Sequence, residues 1–241
     1  PYTTLFRSLV AAAAVSGATS AVLARAMLPA VENLFGYTTP TGLAAFADPE
    51  HPLLRELLVE VPGTYHHGQQ VGALAEAGAR AVGADRLLAR VGGSLHDVGR
   101  LGGPGTPEER RRHAARIAGQ HRMPPELARV MAEQPLEAGR GALLDGRARP
   151  RGKSSALVFL ADWVERALAG EEGRLGGEAL RQRVQGAMRD ALARGLLDSA
   201  ALELRELAAV EAAFVEALWP RFVHENRSAF SRPPSFPERP S

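Results

Sequence analysis

At 241 residues the chain can hold one sizeable domain plus appendages, and an apolar content of 45% is ample for a core. Basic side chains outnumber acidic ones by only two, 29 against 27, and all but one of the 29 are arginine, so charge gives no ground for a DNA or RNA partner. There is no cysteine, which excludes disulfides, thiolate metal sites and a cysteine nucleophile and leaves any metal to nitrogen and oxygen ligands.

Residues 1–8, Pro1 to Ser8, read as a non-native leader and stay outside the fold argument. Residues 9–35 are an apolar, alanine-rich run broken by Arg25. A spanning helix needs about 20 mainly apolar residues, so the run reads as the end of a membrane region, with a peripheral helix docked on the domain as the alternative. Residues 36–62 read as a linker and a short helix. The Thr/Pro/Gly segment Tyr37 to Gly42 is the linker, and the turn Asp48-Pro49-Glu50-His51-Pro52 caps a helix over Leu53–Val59 with Leu53, Leu54, Leu57 and Leu58 on one face. Pro62-Gly63 closes it.

Residues 63–225 read as one all-α domain. A helix over His67–Val82 carries Val71, Leu74 and Ala75 inward and stops at Gly83, and Asp85 caps the next, with Leu87, Leu88, Val91, Leu95 and Val98 in helical register. Short joinery favours antiparallel packing, which brings His67 and His96-Asp97 to the same end. After the break Gly102 to Pro107 come a basic segment, Glu108–Gln120, and a short helix, Glu126–Glu133. Arg110-Arg111-Arg112 reads as a solvated helix face, with a phosphate-binding patch as the alternative. Gly139–Gly152 is loop, and Ser154 and Ser155 cap a helix with Leu157, Leu160, Ala161, Val164 and Leu168 inward and Asp162 one residue off that stripe. Glu178–Arg194 and Leu202–Phe222 are further amphipathic helices, and the proline-rich tail over 226–241 reads as disordered. No strand pattern, repeat, phosphate loop or nucleophile elbow is present.

The chemistry-bearing residues are His67, His96, Asp97 and Asp162. Singly each is ordinary, since a histidine at a helix end is usually a cap and an aspartate beside a tryptophan usually a hydrogen-bond acceptor. Together they form a nitrogen and oxygen set suited to one divalent ion of Mn, Fe, Co, Ni or Zn, with positions left for water and a substrate oxygen. Such an ion lowers the pKa of water and polarises a phosphoryl oxygen, which favours phosphate-ester hydrolysis.

The order His, His-Asp, Asp resembles the HD superfamily of metal-dependent phosphohydrolases. The stretches His51-Pro52-Leu53-Leu54, Pro62-Gly63-Thr64-Tyr65-His66-His67, Leu87 to Gly92, His96-Asp97-Val98-Gly99-Arg100 and Leu160-Ala161-Asp162 are similar to the cytosolic domain of the seven-transmembrane HD family, whose members hydrolyse cyclic di-AMP. The resemblance implies an HD-domain helical bundle behind an N-terminal apolar helix, a cytoplasmic domain attached to a membrane, and a nucleotide or cyclic dinucleotide as ligand. It implies His67, His96, Asp97 and Asp162 as metal ligands; Asp97 and Arg100, the latter in place of the family's lysine, are the expected catalytic residues. Arg100 would meet substrate phosphate, with Thr64 and Tyr65 at the rim. The chain departs from the family where a second metal position would need further histidines: Gln134 and Pro135 stand there, and Arg110 falls nearest an earlier one, with His113 and His121 out of register. One metal site is therefore expected intact and the second lost. The implied function is a phosphodiesterase; the alternative is a catalytically degenerate, membrane-tethered nucleotide-binding or signalling domain.

Overall fold

The computed structural model describes residues 2–35, 40–134 and 149–223. Among these the architecture is all-α, as expected, with a single isolated bridge, Leu175 to Val223, in place of any strand. The first helix, α1 (Tyr2–Phe35), runs without a break through the leader and the apolar run. Its stretch Phe6–Met27 is long and apolar enough to cross a membrane and is not buried anywhere. Phe6, Leu9 and Val22 are each more than two-thirds exposed, so this stretch is not docked on the domain.

Where a linker was expected, Pro40–Ala45 form a short helix, α2, because Leu43 and the following Phe46 bury their side chains in the core. In α3 (Pro52–Glu60) His51 is the cap: its Nδ1 accepts a hydrogen bond from the Leu53 amide at 3.2 Å. Leu53, Leu54 and Leu57 are buried, while Leu58 is exposed, off the expected face.

Pro62 opens the central helix, α4 (Pro62–Val82), instead of only closing α3, since a first-turn proline lacks an N–H that would have no partner there anyway. His67 consequently stands in the second turn. Around α4 pack α3, α5 (Arg86–Leu95), α8 (Lys153–Ala167) and α10 (Leu204–Phe222). Asp85 caps α5 by accepting from the Leu88 amide at 2.9 Å, as its position suggested. The α4–α5 crossing is a glycine contact: a Cβ on Gly93 would lie 2.6 Å from Gly72 Cα. Backbones this close set His67 beside His96.

After a 3-10 turn over Val98–Gly102 come α6 (Pro107–Gln120), opened by a Thr106/Glu109 capping box, and α7 (Pro125–Ala132). Ser154 and Ser155 do not cap α8; Gly152 holds the cap position and both serines lie buried in the first turn. The helix α9 (Gly177–Ala193) packs between α8 and α10. Phe214, Phe222, Leu157 and Leu160 are fully buried between these helices. Buried Glu165 on α8 takes two hydrogen bonds from Arg221 on α10, at 2.9 and 2.6 Å. Residues 36–39, most of the loop expected over Gly139–Gly152, Pro135 and the tail over 226–241 lie outside the described residues.

Candidate metal centre

Three elements supply the site. His67 comes from α4, His96 and Asp97 from the turn that ends α5, and Asp162 from the third turn of α8. One ligand atom each of His67, His96 and Asp162 lies within 4.8 Å of the other two. His67 Nε2 donates to Asp162 Oδ1 at 2.8 Å, and His96 Nε2 stands 3.5 Å from the same oxygen. Two ligands about 2.1 Å from a shared ion in tetrahedral or octahedral geometry sit roughly 3.0–3.4 Å apart, so these separations suit a bound cation.

His96 makes the stronger case. It is buried, its Nδ1 donates to the Gly93 carbonyl at 2.7 Å, and this fixes the ring with Nε2 facing the carboxylates. That Nε2 has no hydrogen-bond partner among the described residues. It faces the Asp162 and Asp97 carboxylates at 3.5 and 3.8 Å instead, the kind of position a divalent ion can share with them. Burial alone would lower the His96 pKa, but the Asp97 and Asp162 carboxylates outweigh it and push the imidazole up to about 9. Burial works in the opposite sense on Asp97, where the His96, Arg100 and Arg166 cations win and bring the carboxyl down to about 2. Asp162 is lowered too: burial raises it, and His96 with the His67 hydrogen bond more than compensates.

Asp97 lies beside the three-residue cluster, its Oδ2 3.8 Å from His96 Nε2, and is engaged by arginines. Arg100 Nε donates to it at 2.8 Å and Arg166 Nη2 at 3.4 Å. Arg166, which sequence reasoning passed over, also donates from Nε to Asp162 Oδ1 at 2.7 Å. The signal was present: Arg166 follows Asp162 by one helical turn, the spacing at which side chains meet. Tyr65 packs against the core with its ring edge-on to His66, and Thr64 is half-buried one turn before His67. Neither lines the cleft beside His96 and Asp97, whereas Arg100, Arg110 and Gln134 do. The Gln134 amide donates to the Val130 and Ser155 carbonyls, tying α7 to α8.

The helical fold is that of an HD domain, and proteins carrying such a domain are similar to the chain. The chain is 48% identical over 90 residues to the cyclic-di-AMP phosphodiesterase PgpH of Bacillus subtilis, covering 37% of this chain and 13% of that protein. Against PgpH of Listeria monocytogenes it is 46% identical over 79 residues, 33% of this chain and 11% of that protein. The chain thus spans only about an eighth of the curated relatives it matches. The crystal structure of the L. monocytogenes PgpH HD domain superposes with a TM-score of 0.59 at 25% identity, over 70% of this chain and 98% of that one. The same domain in complex with cyclic di-AMP superposes at 0.60 and 24% identity, over 71% and 98%. No family model matches the chain.

Proposed function

We propose that the chain carries a metal-dependent phosphodiesterase domain of the HD superfamily, acting on a cyclic dinucleotide such as cyclic di-AMP and tethered to the cytoplasmic face of a membrane by α1. The observation that carries the reading is the convergence of one ligand atom each from His67, His96 and Asp162 within 4.8 Å of one another, with the His96 ring buried. Similarity to PgpH supports the substrate class. In this reading His67, His96 and Asp162 hold one divalent ion of Mn, Fe, Co, Ni or Zn, with Asp97 able to join them. When bound, the ion supplies Lewis-acid chemistry: it acidifies water and polarises a phosphoryl oxygen.

The chain's own residues do the rest. The Gly93 carbonyl accepts the Nδ1 proton of His96, so that the proton lost on metal binding is the one on Nε2. Asp97, a carboxylate throughout the neutral range and held by Arg100 and Arg166, is placed to orient the attacking water by accepting a hydrogen bond from it. Arg100, fixed by its Nε bond to Asp97, faces the cleft and meets the phosphoryl oxygens.

The test is hydrolysis of cyclic di-AMP with Mn2+ by the wild type and by Asp162→Ala. Turnover to the linear dinucleotide is expected, falling on the order of a hundredfold or more in the variant. A preparation that holds stoichiometric metal yet turns over neither cyclic di-AMP nor nucleotide monophosphates would overturn the reading. A second reading, a binding domain without turnover, is favoured by Arg166, whose guanidinium already occupies both carboxylates. It requires cyclic di-AMP affinity that survives Asp97→Ala.

A further inference from the structure

The cleft beside His96 and Asp97 has a volume of about 260 Å³ and is closed on its other side by α6 and α7. Three arginines line it, Arg100 from the 3-10 turn and Arg110 and Arg111 from α6, the last also 3.5 Å from Glu108, while Ala114, Ala118 and Met131 form an apolar floor. Among the described residues its one lining carboxylate, Asp97, is already held by Arg100 and Arg166. The triple-arginine segment therefore splits. Arg112 is 69% exposed and pairs only loosely with Glu108, at 3.9 Å, as a solvated residue does. Arg110 turns inward, and its Nε is buried with no hydrogen-bond partner among the described residues.

That arrangement is built into the backbone. A Cβ on Gly99 would lie 2.3 Å from the Arg110 carbonyl oxygen, so only glycine lets the His-Asp turn abut α6 at this point. A charged donor left without an acceptor in a buried place is costly, and planar guanidinium forks are the side chains best matched to phosphoryl oxygens. The methyl-lined floor suits the flat face of a base. The volume falls just below the roughly 300–1,000 Å³ of whole-ligand pockets, which fits one phosphoryl group with part of its nucleoside.

We infer that Arg110, with Arg100 and Arg111, forms an anion subsite that binds one phosphoryl group of a nucleotide beside the metal centre, its nucleoside lying on the Ala114, Ala118 and Met131 floor. The assignment rests on the phosphodiester reading for its ligand class but requires neither metal nor turnover.

The experiment is calorimetry on the full chain in detergent with EDTA present, using cyclic di-AMP, AMP and inorganic phosphate as separate probes. The proteins are wild type, Arg110→Gln, Arg110→Lys and, as a control of equal charge change, Arg112→Gln, each checked for helical content. Expected are a tenfold or greater loss of cyclic di-AMP and AMP affinity in Arg110→Gln, a smaller loss in Arg110→Lys, less than a twofold change in Arg112→Gln, and tighter binding of AMP than of phosphate. The subsite is overturned if wild type binds neither nucleotide, if Arg110→Gln stays within twofold of wild type, if Arg112→Gln loses as much, or if phosphate binds as tightly as AMP. Arg110-dependent binding without metal-dependent hydrolysis would sink the enzyme reading and leave the subsite standing. Hydrolysis with an unchanged KM in Arg110→Gln would do the reverse.

Discussion

His96 concentrates the electrostatics of the site. Its neighbours are the carboxylates Asp97 and Asp162, the ring of His67, and Arg166 bridging the two acids. Because its pKa rises from 6.5 to about 9 on folding, its contribution to stability is complete below pH 6.5 and disappears as pH climbs through 9. Asp97 has the opposite sign: lowered from 3.8 to about 2, it stabilises above pH 3.8 and stops doing so as pH falls through 2. Metal-free protein should accordingly melt highest between pH 3.8 and 6.5 and lose melting temperature from there towards 9; scans in EDTA check this, and saturating Mn2+ should flatten the alkaline decline. A second expectation concerns Arg166. Two charge-assisted hydrogen bonds to the ligand carboxylates compete with a cation, so Arg166→Ala should raise Mn2+ affinity by about ten- to a hundredfold in calorimetry, on the scale of 1.5–3 kcal/mol for such bonds. Unchanged or weaker binding would show that Arg166 supports the metal ligands and does not compete for them.

Among the helices, α4 and α5 decide whether a site exists. Their glycine contact is a backbone approach, so no neighbouring side chain can move aside for an added methyl. Gly93→Ala should cost at least about 1–3 kcal/mol by overpacking and, by separating His67 from His96, weaken Mn2+ binding more than a cavity mutation of equal ΔΔG elsewhere in the core. Chemical denaturation alongside metal titration tests both parts. The individual elements were largely legible beforehand, since Asp85 and Gly83 punctuate as their chemistry dictates. Errors fell where one residue type serves two purposes. Pro62 both ends α3 and starts α4, and Ser154 and Ser155, plausible caps, are drawn into the first turn of α8 by burial. His51, quoted as part of a family motif, turns out to be an N-cap, which explains its place just before Pro52.

Taken whole, the molecule is a helical domain behind a helix whose stretch Phe6–Met27 contributes nothing to its core. Phe6–Met27 are long and apolar enough for a bilayer and bury nothing against the domain. Removing residues 1–27 should therefore leave the melting temperature within about 2 °C, as expected when the apolar stretch removed, Phe6–Met27, is unburied, while moving the protein from the membrane fraction to the supernatant. A large drop in stability would mean that α1 packs on the domain after all. What the amino-acid order determined by itself was the helical register, the antiparallel α4–α5 pair and the set of candidate ligands, because caps, glycines and apolar periodicity act over a few residues. Which atoms meet was decided only by the tertiary structure. Arg166 across the two aspartates, Arg110 turned into a cleft while Arg112 faces water, and Gln134 committed to holding α7 on α8 all depend on how close helices distant in sequence approach, and that distance is set by packing at glycines.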